Sequence, residues 1–397
     1  MNSDRILKLF LALTLCLSLN SASVAQDETA NKQLAKRLVQ SASVKKGDVV
    51  IIRGGRHMIP LMEDIAIEVQ MAGAFANMWL ASDRVQRAIF VDQPEETLGQ
   101  QADFVIDWFK KANAYIELPS FEDPVKLVDG VSPARLAKVN GESKDRTQDL
   151  NSMPMRWVSM NLPTESQARL LGVDFVALKQ MTWKAINADY ASIAGRASRL
   201  KTMLQNGKTI RITNPGGTEL NLSLAPGRLI QVDDGVVTSE DARSPLLLER
   251  YAALPSGIVT FAPLEASVNG KVRVAKDYGR HGMIRDTRFE FKNGKIEGYT
   301  AATNANTFPD EMAPFTGPKD IIGTISIGLN PELKIMDSGD ENSFPQAAEG
   351  MVYVSVGENK LLGGVNPPTG FGWGWPIPNA TVTIDGKVVV KDGKLVL

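Results

Sequence analysis

From residue 48 to residue 118 the chain alternates short β-branched runs with stretches patterned for helices, and that rhythm admits few architectures. Asp48-Val49-Val50-Ile51-Ile52 reads as a buried strand. Pro60 can open a helix in which Leu61, Ile65 and Val69 recur at helical spacing; Met62 and Ala66 widen the stripe and Gly73 closes it. Phe75 to Leu80 suits a second strand, Glu96 to Ala112 a second helix, and Ala114 to Leu118 a third strand. Strands separated by helices pair in parallel through crossovers, so a mainly parallel sheet is expected. Residues 26–46 read as a polar lead-in with a short helix. Pro154 to Leu204 reads as mostly helical, broken at Pro163 and Gly172.

Past Gly207 the period changes. Thr209-Ile210-Arg211-Ile212 and Glu219-Leu220-Asn221-Leu222 flank Asn214-Pro215-Gly216-Gly217 as a hairpin. Alternating runs follow at Arg285 to Phe291, Lys295 to Thr300, Met351 to Val356 and Thr381 to Leu397, the last with turns at Asp385-Gly386 and Asp392-Gly393. The expected fold is an α/β N-terminal domain with a mainly parallel sheet, residues 26–205, followed by a β-rich (α+β) C-terminal domain, residues 206–397. A length of 397 residues suits two domains. With 44 basic against 45 acidic side chains and no segregation of charge, the chain lacks the footprint of a nucleic-acid binder.

The first 25 residues read as an address. Arg5 and Lys8 precede an apolar run from Leu9 to Leu19, and Ser23-Val24-Ala25 offers small residues for cleavage, the pattern of a secretory signal peptide. Cleavage after Ala25 leaves 397 − 25 = 372 residues. The single cysteine, Cys16, lies in the signal, and Leu15 is bulky where a lipid-attachment motif wants a small residue. No later stretch has the ~18 continuous apolar residues of a membrane helix. The expectation is a periplasmic or secreted protein with no membrane contact after cleavage; a homodimer stays open.

Candidate chemistry is sparse. Two histidines, His57 and His281, exclude a zinc site of the His-x-x-x-His type. A mature chain without cysteine excludes a Cys–His nucleophile, and neither a Gly-x-Ser-x-Gly elbow nor a phosphate-binding glycine loop is present. Ser43-Val44-Lys45-Lys46 contains a Ser-x-x-Lys spacing that chance supplies often, and Arg53-Gly54-Gly55-Arg56 reads as a βα turn. Two acidic loops, Asp233, Asp234, Glu240 with Asp241 and Asp337, Asp340 with Glu341, have the oxygen ligands calcium takes, though such loops are more often simply solvated. His281, beside Gly282 and ahead of a strand, is the candidate catalytic acid–base, with an exposed turn histidine as the plainer reading; His57 stands at the first βα turn.

Several segments taken together resemble the thermophilic metallo-aminopeptidase family, the aminopeptidase T and aminopeptidase S group. They are Arg156-Trp157 with Pro163-Thr164-Glu165; Ile210-Arg211-Ile212 through Gly217-Thr218-Glu219-Leu220; Leu254-Pro255-Ser256-Gly257 with Ala262-Pro263 and Asn269-Gly270; Ile327-Gly328 with Asn330-Pro331; and Gly363-Gly364-Val365-Asn366. Their order and spacing span nearly the whole mature chain. The resemblance implies a peptide hydrolase with a two-metal site in the C-terminal half. At the matching positions this sequence departs: Ile258 and Thr324 stand for glutamates, Tyr353 for a histidine, Phe344-Pro345-Gln346 for Asp-Glu-Lys, and Phe371 to Trp375, with Trp373, for the terminal His-Trp-Asp. No metal ligand carries over.

Two divalent cations need several carboxylates and imidazoles, and these residues cannot supply them, so no cofactor is expected. The leading reading is a lapsed enzyme, or a module that binds a peptide or another small ligand. Tyr353, Phe371, Trp373 and Trp375 are its candidate binding residues, either as walls of an open cleft or as a plug filling the old site. The alternative is an active aminopeptidase holding a metal pair on replacement ligands from His281, Asp277, Asp286, Asp310 and Glu311. A third is different chemistry built on His281 with an acidic partner.

Overall fold

A computed structural model describes residues 29–100, 102–141, 153–279, 282–337, 342–343, 345–367, 369 and 371–397. The signal segment, His281 and the acidic residues Asp340 and Glu341 lie outside the described residues.

The first sheet is parallel, in the order β2-β1-β3-β4-β8. Its strands are β1 (Val49–Gly55), β2 (Phe75–Ala81), β3 (Ala114–Glu117), β4 (Arg156–Met160) and β8 (Tyr251–Leu254). Val50, Ile51 and Ile52 are fully buried, which a strand covered on both faces requires of an unbroken apolar run. The helix Ile59–Met71 begins at the proline turn and buries Leu61, Met62, Ile65 and Val69. Two readings are corrected. The helix expected over 96–112 starts only at Asp103, after turns at 95–99. Arg156–Met160 is not helical but a strand whose Trp157 pairs with both Tyr115 and Tyr251. A five-residue apolar run carries too little period to separate the two. The helices beyond it are true to pattern: Glu165–Leu170 has a Thr164–Gln167 capping box, and Asp174 and Asp189 cap Phe175–Ile186 and Tyr190–Asn206.

The second sheet is antiparallel, in the order β12-β11-β10-β6-β5-β18-β19-β20. It contains β5 (Thr209–Thr213), β6 (Glu219–Ser223), β10 (Asn269–Gly279), β11 (Gly282–Lys292), β12 (Lys295–Thr300), β18 (Thr381–Ile384), β19 (Lys387–Lys391) and β20 (Lys394–Leu395). Asp385 and Gly386 both take positive φ, as do Asp392 and Gly393, so both Asp-Gly turns have the hairpin geometry their sequence demands. The third sheet, order β17-β16-β13-β9-β7, is also antiparallel. It comprises β7 (Ile230–Asp233), β9 (Ile258–Phe261), β13 (Ile322–Gly328), β16 (Val352–Gly357) and β17 (Gly372–Ile377). A short ribbon of β14 (Met336–Asp337) and β15 (Asn342–Ser343) completes the strands. Gly270 is a position only glycine can hold: φ is +131°, and a Cβ there would lie 2.0 Å from the Glu219 carbonyl oxygen.

One continuous apolar core joins helix 29–41, the parallel sheet and both antiparallel sheets. Two of its buried charges are paired. Arg156 binds Asp48 at 2.5 Å with both side chains largely buried. Arg228 grips Glu265 through two bonds of 2.8 and 2.9 Å, with Asn359 and the Val365 N–H as further donors. Burial alone would raise the Glu265 carboxyl, but these donors hold it below its ordinary value.

Candidate functional site

Three of the four positions that the resemblance marks for metal ligands fall on one face of the third sheet. Ser326 pairs with Thr260 on one side and with Tyr353 on the other, and Gly328 pairs with Ile258. Strand alternation therefore puts Ile258, Thr260, Ser326, Tyr353 and Ser355 on the same side. A register shift lies between Ile322 and Ile325, and the Thr324 hydroxyl, 2.8 Å from that of Ser355, joins them there. The opposite side carries Val259, Phe261, Ile325, Ile327, Val352, Val354 and Val356, all buried as core.

The ligand side is a ladder of neutral polar groups. The Thr260 and Ser326 hydroxyls are 2.9 Å apart, and Gln346, from the segment standing for Asp-Glu-Lys, donates to Ser326 at 3.1 Å. The Tyr353 hydroxyl donates to the Gly374 carbonyl at 2.8 Å, and its ring covers Gly374 so closely that a Cβ there would lie 2.1 Å from Cε1. Burial, aided by the charge of Asp277, pushes Tyr353 up to about 12, so it stays neutral.

Trp373 and Trp375 are on the other face. Trp375 pairs with Val354 and Trp373 with Val356. Trp375 is fully buried with its ring 4.0 Å from Phe289 of the second sheet, and Phe371 is buried against Phe308 and Phe315. Trp373 is half-buried, packs on Phe308 and donates from Nε1 to Asp277 at 2.8 Å. The four candidate binding residues are thus divided, Tyr353 from the three others.

Of the candidate replacement ligands, His281 lies outside the described residues, and the others have these places. Asp277 holds Trp373, Asp286 is bound by Arg273 and Arg288, and Asp310 and Glu311 lie on the helix Thr307–Met312. Among the described residues no three His, Cys, Asp or Glu side chains come together as a metal group would need. The donor set at the matched positions does not fit a pair of divalent cations.

The hydroxyl face opens on a cavity of about 770 Å³ at the carboxyl ends of β4 and β8, lined by Ile258, Thr260, Gln231, Asp233, Tyr251 and Gln346 among others. A smaller hollow of about 170 Å³ shares Gln231 and Thr260 and continues to Thr324. Asp233 is the main charge-bearing group on this wall. Its carboxylate accepts from Ser256 at 2.6 Å, from the Ala253 N–H at 3.0 Å and from the Gly235 N–H at 3.3 Å. Burial outweighs those bonds and raises it to about 7. Beside it the Tyr251 and Ser159 hydroxyls are 2.7 Å apart. Of the acidic group in which calcium was the lesser expectation, Asp241 accepts from the Thr238 N–H and hydroxyl within its own turn. Sequence reasoning marked Asp233 only as one of that group and gave no role to Ser256, Tyr251 or Gln346; Ser256 and Gln346 sat inside quoted motifs, whereas Tyr251 had no local signal.

Comparison with known proteins agrees with this architecture. The family described as thermophilic metalloprotease (M29) matches residues 28–317. Wild-type AmpT from Thermus thermophilus superposes with a TM-score of 0.71 at 17 % identity, over 93 % of this chain and 99 % of that one. A 2,5-dihydroxypyridine dioxygenase from Pseudomonas putida KT2440 superposes with a TM-score of 0.59, also at 17 % identity, over 93 % of this chain and 97 % of that one. No curated protein matches the sequence. At this identity the likeness is one of fold, and two differently named proteins sharing it leave function to the site.

Proposed function

Because the chain belongs to the thermophilic metalloprotease (M29) family, we propose that it is an exported member whose metal centre has lapsed and whose cleft binds a peptide or another small ligand without hydrolysing it. The observation that carries this reading is the hydroxyl ladder. Where a metal pair would need carboxylates and imidazoles, the Thr260 hydroxyl bonds to that of Ser326 and the Thr324 hydroxyl to that of Ser355, on the face that carries the aliphatic Ile258. Those groups suit the N–H and C=O groups of a peptide backbone and cannot ionise a water.

Asp233 gives the cleft its charge. A carboxylate titrating near neutrality on a cavity wall can accept from an ammonium group, which an unblocked peptide supplies at its N-terminus. The cavity is of the size small ligands occupy. Gln346 and Gln231 add an amide at either side of the ladder.

Elemental analysis of the purified protein, with no metal added, checks the lapsed centre; substoichiometric transition metal is the expected result. Calorimetric titration with short peptides, free and N-acetylated, checks the cleft, with binding expected for the free peptides and weakened by acetylation. A pair of zinc or cobalt ions per chain together with release of N-terminal residues would instead establish the active aminopeptidase.

A further inference from the structure

The parallel sheet has a second crevice beside the hydroxyl cleft, with Leu162 and Pro163 on the wall of both. Its order β2-β1-β3-β4-β8 means that the chain leaves β1 toward one edge and then crosses to the other side of β1 for β3. In open sheets of this kind the connections after the two strands at such a switch diverge, and the gap outside their carboxyl ends is where ligands bind. Here that gap is a cavity of about 810 Å³, with His57 and Met58 following β1, Pro119 and Glu122 following β3, and helix Phe175–Ile186 as the facing wall.

That wall is patterned for a ligand. Val176, Lys179, Gln180, Trp183 and Lys184 recur at i, i+3, i+4, i+7 and i+8, one stripe of the helix, and all five line the crevice. The helix buries Leu178, Thr182, Ala185 and Ile186 on its other side, and of the stripe Trp183 alone also packs on the core. The crevice thus combines an apolar body with two ammonium groups. Glu122 is the only carboxylate among its described lining residues, and no arginine or glycine-rich loop lines it, which disfavours a phosphate.

His57 adds an unsatisfied polar group. Both ring nitrogens are buried without a hydrogen-bond partner, and the nearest carboxylate oxygen, on Glu122, is 3.9 Å from Nδ1, too far for a hydrogen bond. The side chain is 20 % exposed, so what faces the crevice is carbon, and a half-turn about Cβ–Cγ exchanges that edge for a nitrogen. A buried polar group of this kind is normally satisfied, and a ligand in the crevice would do so.

We propose that this crevice is a second binding site, for a small amphiphile with an apolar body and one carboxylate head. The body lies against Trp183, Met58 and Leu61, and the head is held by Lys179 and Lys184.

Octanoate is the probe, with 1-octanol, octylammonium and octyl phosphate as controls, followed by calorimetry and tryptophan fluorescence. Octanoate is expected to bind saturably and to shift the emission, and Trp183→Phe to abolish most of the shift while calorimetric binding persists. The Lys179→Gln/Lys184→Gln variant, altered only at exposed side chains, is expected to bind about tenfold more weakly, the loss of a charge-assisted contact. His57→Phe keeps the ring and should weaken binding by a smaller factor. Octanol binding as tightly as octanoate, a preference for octyl phosphate, or an unchanged double-lysine variant would overturn the proposal. Octanoate is titrated with no peptide present, so failure at this site is separable from failure at the hydroxyl cleft.

Discussion

At the scale of single residues, two buried charges set measurable properties. Asp233 has an ordinary carboxyl value of 3.8 in the unfolded chain and about 7 in the fold. Between those values the folded state holds the proton more tightly. Stability is therefore greatest at the acid end, falls as pH rises through 7, and is level above it. The loss is on the order of 4 kcal/mol. Asp233→Asn keeps an acceptor for the Ala253 N–H and should flatten this slope, as urea melts between pH 4 and 8 would show; an equal slope in both proteins would contradict it. Arg156 is the second case. Removing it as Arg156→Met leaves Asp48 buried without its cation, an expected cost of ~3–5 kcal/mol read as a fall in the urea midpoint. Arg156 was legible as part of a motif, but its partner was not, because Asp48 is 108 residues away in the chain. Nor did any local pattern single out Asp233, whose raised value comes from the walls around it.

At the scale of elements, the alternation of Phe371, Trp373 and Trp375 with glycines was readable in the sequence, but it was not read as a strand, and the structure makes Gly372–Ile377 one. Which side was not readable, since alternation is symmetric until a neighbour is placed. Pairing with Val354 and Val356 turns the tryptophans into the core and leaves Gly374 beneath Tyr353. Trp375→Ala should therefore cost ~3–5 kcal/mol and lower the melting temperature markedly, with Trp373→Ala costing less because that ring is half-buried. Equal small shifts in calorimetry for the two variants would place both rings outside the core. The strand at Arg156–Met160 was misread for a related reason: Trp157-Val158 is apolar in either period, and only pairing with β3 and β8 distinguishes them.

At the scale of the whole molecule, the buried core is continuous from helix 29–41 to Val390, and the fifth strand of the parallel sheet, Tyr251–Leu254, comes from well past residue 205. The two halves are thus stitched by a shared sheet, and calorimetry should record one cooperative thermal transition. Two resolved peaks would show that the halves unfold separately. The amino-acid sequence alone determined the local terms: the parallel βαβ rhythm, the Asp-Gly hairpins, the family and the side-chain chemistry at positions such as Ile258 and Thr324. These follow from periodicity, turn chemistry and residue type, which need only near neighbours. Tertiary structure decided which faces look inward, which charges are paired, and that a hydroxyl ladder and an unsatisfied His57 each border a cavity. Those depend on contacts between segments far apart in the chain, and no short-range pattern encodes them.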